Sequence, residues 1–255
     1  MKKNIKTLMI IFFVFSVSCS TETTIDDLSI GDLSTNNVSL KMRTSSAQTT
    51  AFNKNIFEKF LDIIVGDKLY AYDAGNGVVI TDFQMSFRDI KLDKLNATNS
   101  EIEFTGPFQI DLLNDTQSLT ETIGSGEITA GTYKKVRFVL HKSTDIDTNH
   151  VLYDRSIYIA GTINGTNFIM HHDTSENIEI QSDAGIEVNE NTTGLLVDIN
   201  LDNLLSGIDL TTAEDSNNDG LIDISPITND DNINRDLAES LKDNIKLVAD
   251  FLEDK

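Results

Sequence analysis

The strongest constraint on this chain is a period of two. Phe83, Met85 and Phe87 fall at alternate positions, as do Val136, Phe138 and Leu140, then Ile157 and Ile159. Ile178 and Ile180, Ile186 and Val188, and Val197, Ile199 and Leu201 continue the rhythm. Alternation sends successive side chains to opposite faces of a strand, so each run offers one apolar face for burial. Ile90 and Leu92 continue the first run in the opposite phase. That slip predicts a bulge near Arg88-Asp89 within one long strand, not two strands. Ile102 and Phe104, then Phe108, Ile110 and Leu112, form a pair of runs broken at Gly106-Pro107. Asn164-Gly165 supplies the positive φ a tight hairpin needs, with Phe168 to Met170 as the return strand.

Two segments carry a helical period instead. Phe52, Ile56, Phe60 and Ile64 recur every four positions ahead of Gly66, which predicts an amphipathic helix over 51–65. At the chain's end Leu237, Leu241, Ile245, Val248 and Leu252 recur at three or four residues, which predicts a helix over 234–252. Asn234 stands where its side chain would cap that helix. A lone helix is marginal in water, so this one must dock on the rest. Roughly nine short strands with Gly and Asn turns then give the expected fold. It is mainly β, an antiparallel β-sandwich (immunoglobulin- or transthyretin-like in style) with a docked C-terminal α-helix, as one domain over 51–255.

Cys19 is the only cysteine. Ahead of it stand Lys2, Lys3 and Lys6, an apolar run from Leu8 to Phe15, and the small stretch Ser16-Val17-Ser18. A positive head and a short apolar segment make an export signal; a spanning helix needs roughly 20 apolar residues. The stretch resembles a bacterial lipobox, with Ser16 in place of the usual aliphatic residue. The resemblance implies that 1–18 is a lipoprotein signal peptide and that Cys19 receives acyl chains. Each buried methylene contributes about 0.8 kcal/mol, so two chains hold stably at a membrane. A lipidated Cys19 leaves no thiol for disulfides, nucleophilic catalysis or metal.

Residues 19–50 are rich in Ser, Thr, Asn and Asp and are expected to form a flexible acidic tether. Glu22, Asp26 and Asp27 resemble the surface-export signal of Bacteroidota lipoproteins, which implies an outer-membrane lipoprotein, surface-exposed or on the periplasmic face. The formal charge of −21 deepens once Lys2, Lys3 and Lys6 are removed. Such a surface repels nucleic acid and suits divalent cations, basic partners or simple solubility.

Three stretches carry a wider resemblance. They are Phe83-Gln-Met-Ser-Phe-Arg-Asp-Ile-Lys-Leu92, the step Ile110-Asp-Leu-Leu113, and Ala130-Gly-Thr-Tyr-Lys-Lys-Val-Arg-Phe-Val-Leu140. Over about residues 80–201 the chain is similar to the DUF4382-like lipoproteins of Bacteroidota. The resemblance implies a secreted β-sandwich-like domain of unestablished activity.

The sharpest local motif is Asp215-Ser-Asn217-Asn-Asp219-Gly220-Leu221-Ile222-Asp223. It resembles a calcium loop of the EF-hand or dockerin kind, in which oxygens at alternate positions wrap one large hard cation. Asp215, Asn217 and Asp219 would be side-chain ligands, Leu221 would offer its carbonyl, and Asp223 would act directly or through water. Gly220 permits the bend and Ile222 would pin the loop to a core. The twelfth position is Pro226, where a bidentate carboxylate normally completes the shell, so Asp230 or Asp231 would have to substitute. The alternative is an Asx-rich solvated turn. Any Ca2+ here would be a structural cofactor.

His171, His172 and Asp173 are metal-ligand types, with His141 and His150 elsewhere. Adjacent residues of a strand face opposite ways, so at most one of His171 and His172 joins a given site. One packed and one exposed histidine is the expected arrangement. Neither HExxH nor GxSxG occurs, and Gly124-Ser125-Gly126 lacks the strand-to-helix context of a nucleophile elbow. With no Trp and five Tyr, flat aromatic platforms for sugars are scarce. The expected function is therefore a lipid-anchored extracytoplasmic binding or structural module, calcium-stabilised and not an enzyme. The alternative is an accessory lipoprotein subunit of an outer-membrane uptake or adhesion assembly.

Overall fold

The long strand β3 (Val78–Lys94) organises the larger of two sheets. Phe83, Met85 and Phe87 are buried, Arg88 is exposed, and Ile90 and Leu92 are buried again. Its pairing with β7 (Gly131–Leu140) slips between Phe87 and Ile90, so one strand carries the bulge expected from the change of phase. Beyond the bulge β3 runs between β7 and β4 (Glu101–Phe104). Before it, β3 pairs with β8 (Ile157–Ile163) along one edge and with β2 (Tyr72–Gly75) and β5 (Phe108–Leu113) along the other.

The computed structural model describes residues 35–45, 71–95, 101–113, 120–227, 233–245 and 249–254. All of them lie in one compact unit, Ser34–Lys255. The larger sheet continues from β8 through β9 (Thr166–His172) to β12 (Leu221–Ile224), and from β7 to β10 (Asn177–Val188). The β8–β9 hairpin turns on Asn164 (φ 51°) and Gly165 (φ 85°), the two positive φ values its sequence predicted. Gly161 is required for a different reason. A Cβ there would meet the Val79 carbonyl oxygen at 1.9 Å, opposite the place where β3 and β8 slip register.

The second sheet has the order β13–β11–β1–β6, from Ala249–Asp254, Gly194–Asn200, Thr35–Ser45 and Thr120–Thr129. β5 adjoins β6 and β10 adjoins β13, so the two sheets meet at corners around one apolar cluster. Val38, Leu40 and Met42 reach it from β1, and Phe87 tilts against Phe138 at 5.2 Å and Phe108 at 6.0 Å. The molecule is thus mainly β, with sandwiched sheets and a docked C-terminal helix. No helix among the described residues is long and apolar enough to cross a membrane.

Three sequence expectations change. The tether cannot run through residue 50, because Thr35–Ser45 forms β1, a strand with both edges paired. Val38, Leu40, Met42 and Thr44 alternate inward behind a polar composition that hid the pattern. After the short α1 (Leu201–Leu204), the C-terminal helix is α2 (Arg235–Ile245), not 234–252, since Ala249–Asp254 forms β13 against β11. Leu237, Ala238, Leu241 and Ile245 dock the helix, but covering the open backbone groups of β11 outweighs extending it. The described residues also hold thirteen strands, with two parallel pairings, β1–β11 and β9–β12, among antiparallel ones. Cys19 and the helix expected over 51–65 lie outside the described residues.

A candidate cation loop and its surroundings

The 215–223 segment closes on itself through its own carboxylates. Asp215 accepts from the Asp219 N–H at 3.2 Å through Oδ1 and from the Gly220 N–H at 2.8 Å through Oδ2. Asn217 Oδ1 accepts from the Asp219 N–H at 3.1 Å, and Asp219 Oδ1 accepts from the Leu221 N–H at 2.9 Å. Asn218 (φ 57°) and Gly220 (φ 88°) make the two left-handed steps that curl the chain. The loop then enters β12, where Ile222 and Ile224 are buried while Asp223 faces solvent. Burial, then the Asp219 charge and more weakly that of Asp215, pushes the Asp223 carboxyl above its ordinary range, with Arg155 opposing.

Asn234 does something its sequence position did not suggest. Its carbonyl accepts from Leu237 and Ala238 and so starts α2, but its side chain turns away from the helix. Oδ1 accepts from the Glu214 N–H at 2.9 Å, and Nδ2 donates to the carbonyls of Glu214 and Asp223, each at 2.8 Å. Glu214 and Asp223 are the two stems of the loop, so one buried amide ties its neck to the helix start. A polar residue before an apolar helical period signals a cap. It carries no mark of which backbone groups the side chain will choose.

Asp215, Asn217 and Asp219 are therefore brought together, and Leu221 and Asp223 follow at the loop's exit. Their oxygens are turned onto the loop's own donors: Asn217 Nδ2 donates to Asp219 Oδ2 at 2.9 Å. Among the described residues no group of three His, Cys, Asp or Glu side chains stands ready as a metal shell. Pro226 adds no ligand, and Asp230 and Asp231 lie outside the described residues. As it stands, the arrangement spends these oxygens on fixing the curl of the loop.

A family model described as a domain of unknown function, DUF4382, matches residues 69–229. The chain belongs to the DUF4382 family. No curated protein and no solved structure matches it. The DUF4382 span takes in β2 to β12 and with them the whole larger sheet and the 215–223 loop, well past residue 201. β1, α2 and β13 fall outside it, as does Asn234.

Within the DUF4382 span the two adjacent histidines face opposite ways, as strand geometry demands, yet neither is freely exposed. His172 is buried at 5% exposure, its Nδ1 accepts from the Thr174 N–H at 3.0 Å, and its Nε2 lies 3.6 Å from Glu239 Oε1 on α2. Lys242 joins Glu239 to Glu176 beside it. His171 is half-buried, with Nδ1 enclosed and unpartnered, and burial followed by the Arg155 charge lowers its pKa to about 4. The expected exposed histidine is thus a partly covered neutral one.

Proposed function

We propose that this DUF4382 protein is a lipid-anchored module of the bacterial envelope, held at the outer membrane through Cys19 and working outside the cytoplasm as a binding or structural domain. In this reading it performs no catalysis, and calcium is a structural cofactor of the 215–223 loop. The anchor rests on the order of Lys2, Lys3 and Lys6, an apolar run and small residues before the chain's only cysteine. The loop reading rests on one observation above all. The Asp215 carboxylate takes the N–H groups of Asp219 and Gly220 and so holds the loop curled. Oxygens at alternate positions are then already gathered, and the ordering that calcium would otherwise have to impose is largely complete.

Calcium would draw Asp215 and Asp219 off backbone donors and neutralise charges that now repel Asp223. Stabilisation by a ligand follows RT ln(1 + [L]/Kd), about 2.7 kcal/mol at a hundredfold excess over Kd. For a domain of this size that is a rise in Tm of about 5–10 °C. Thermal unfolding of the purified chain with calcium, against chelator, should show the rise, and Asp215→Ala and Asp219→Ala should abolish it. An unchanged Tm would return 215–223 to a solvated turn. The anchor is tested separately by the mass of the native N-terminal peptide. An unmodified Cys19 sulfur in native material would remove the membrane attachment.

A further inference from the structure

The excursion 141–156, which joins β7 to β8, and the stretch after β12 leave a cleft of about 600 Å³ between them. Small-molecule sites typically have about 300–1,000 Å³. His171 of β9, Tyr153, Asp154 and Arg155 of the excursion, Asp173, and Pro226 and Ile227 line it. Tyr153 at 37% and Ile227 at 55% are two of the four large apolar side chains that stand exposed among the described residues, and both face this one cleft. Apolar surface concentrated in a concavity marks a binding site far better than the same residues scattered singly.

The cation is the second unusual feature. Arg43, Arg88 and Arg137 each hold an aspartate, at 3.0, 3.3 and 2.9 Å. Arg155 and solvent-exposed Arg235 hold no carboxylate among the described residues, in a chain with 41 acidic residues against 20 basic ones, and of the two Arg155 lines this cleft. Its Nη1 donates to the Val151 carbonyl at 2.9 Å and its guanidinium lies 6.0 Å from the Tyr158 ring centre, which leaves further N–H donors unspent. The carboxylates nearby do not take them. Asp154 is paired with Lys142 at 2.7 Å, Asp173 has a side chain 56% exposed and lies 3.9 Å from His172 Nδ1, and Asp223 senses Arg155 without contacting it.

Arg155 is also held in place before any ligand arrives. Its N–H donates to Leu152, which is buried at 1% exposure, and its carbonyl accepts from the Ser143 N–H. Ser143 is fixed in turn by a 2.7 Å hydrogen bond to buried Ser86 of β3. A guanidinium fixed in this way can take a carboxylate with both oxygens at little ordering cost.

We propose that this cleft binds small organic carboxylates with an apolar body, the carboxylate on Arg155 and the apolar body against Tyr153 and Ile227. The site needs neither the lipid anchor nor calcium, so its fate is separate from theirs. Neutral His171 adds a polar edge that does not compete with Arg155 for the anion. Calorimetric titration of the full chain with phenylacetate and with phenylacetamide, its uncharged counterpart, tests the assignment. The acid should bind about tenfold or more tighter than the amide, the scale of one charge-assisted hydrogen-bond pair. Arg155→Gln should bring the two to parity, while Tyr153→Ala, an exposed position, should weaken both alike. Equal affinity for acid and amide, absence of binding by either at millimolar concentration, or a preference that survives Arg155→Gln would each overturn the proposal. If Arg155→Gln fails to fold, the acid–amide comparison on the native chain and the Tyr153→Ala variant still decide it.

Discussion

The larger sheet contains the hairpins β2–β3 and β8–β9, whereas in the smaller sheet no two neighbouring strands are consecutive in the chain. There β1 runs parallel to β11 across 155 residues, as the Arg43–Asp198 pair records. Hairpins carry their pairing instructions in a few turn residues, but a ladder between distant segments is specified by the faces the strands present once the rest has folded. The larger sheet lies inside the 69–229 span, while β1 and β13 of the smaller one do not. The smaller sheet is therefore completed by both ends of the described chain. Its entropic cost of closure is larger and its dependence on the core greater.

The largest test of that contrast is removal of β1. A chain beginning at residue 46 loses Val38, Leu40 and Met42 from the core, each worth about 1.5–3 kcal/mol on burial. It also opens two ladders at once, against a total stability of about 5–15 kcal/mol. It should show no cooperative unfolding transition by circular dichroism, and a normal transition would make β1 an ornament on an autonomous larger sheet. The point substitutions are smaller. Leu40→Ala in the smaller sheet and Phe138→Ala in the larger should cost about 2–5 kcal/mol each by urea unfolding. Both side chains belong to one cluster, so each should shift a single shared transition. Two separable transitions would show that the sheets fold apart.

The same contrast explains what could be read from the chain. The phase change at Arg88-Asp89, the Asn164-Gly165 turn and the inward run Val136, Phe138, Leu140 are local patterns, and all three recur in the structure. β1 was missed because Thr35–Ser45 mixes Thr, Asn, Ser, Lys and Arg with its inward Val38, Leu40 and Met42, so composition spoke for a tether. β13 was missed because Val248 and Leu252 continue a helical spacing. What makes 249–254 a strand is the neighbouring edge of β11, which no window of sequence contains. The candidate loop was legible in its spacing of Asp and Asn. The tie from Asn234 and the place of Arg155 in the cleft were not, since both depend on what lies across the fold.

Asn234 allows that distant tie to be measured. Replacing it by alanine leaves the Glu214 N–H and the carbonyls of Glu214 and Asp223 without their partner in a partly buried place. The expected cost is about 1–3 kcal/mol in chemical unfolding, with a weaker calcium response as the loop's neck loosens. Retention of full stability would mean that water replaces the amide. His171 gives a pH-dependent counterpart inside the larger sheet. Its pKa is 6.5 unperturbed and about 4 in the folded chain. Above pH 6.5 both states are neutral and its contribution is full. As pH falls toward 4 the unfolded chain takes up a proton that the folded one refuses, and stability drops, by about 1–2 kcal/mol once solvent screening of the half-buried ring is allowed for. His172, also pushed down first by burial, adds in the same direction. Urea midpoints at pH 5 and 7 should differ less in His171→Phe than in the native chain.

Asp223 should give the smallest effect and the sharpest sign. Its folded carboxyl holds its proton more tightly than the unfolded one, so its charge at neutral pH costs stability, and the cost fades only as pH falls through the raised pKa. Asp223→Asn removes the charge. Because the side chain faces solvent, screening reduces the gain to within about 0.5 kcal/mol, seen as a slight rise in Tm with chelator present. With calcium the order should reverse, since the native carboxylate gains an ion that the amide holds less well. An Asp223→Asn chain that keeps the whole calcium response would leave Asp215, Asn217 and Asp219 as the binding set and reduce Asp223 to a charge the ion never meets. A variant that melts below the native chain in chelator would show instead that the repulsion from Asp219 and Asp215 is already relieved by the Arg155 field reaching across from the cleft.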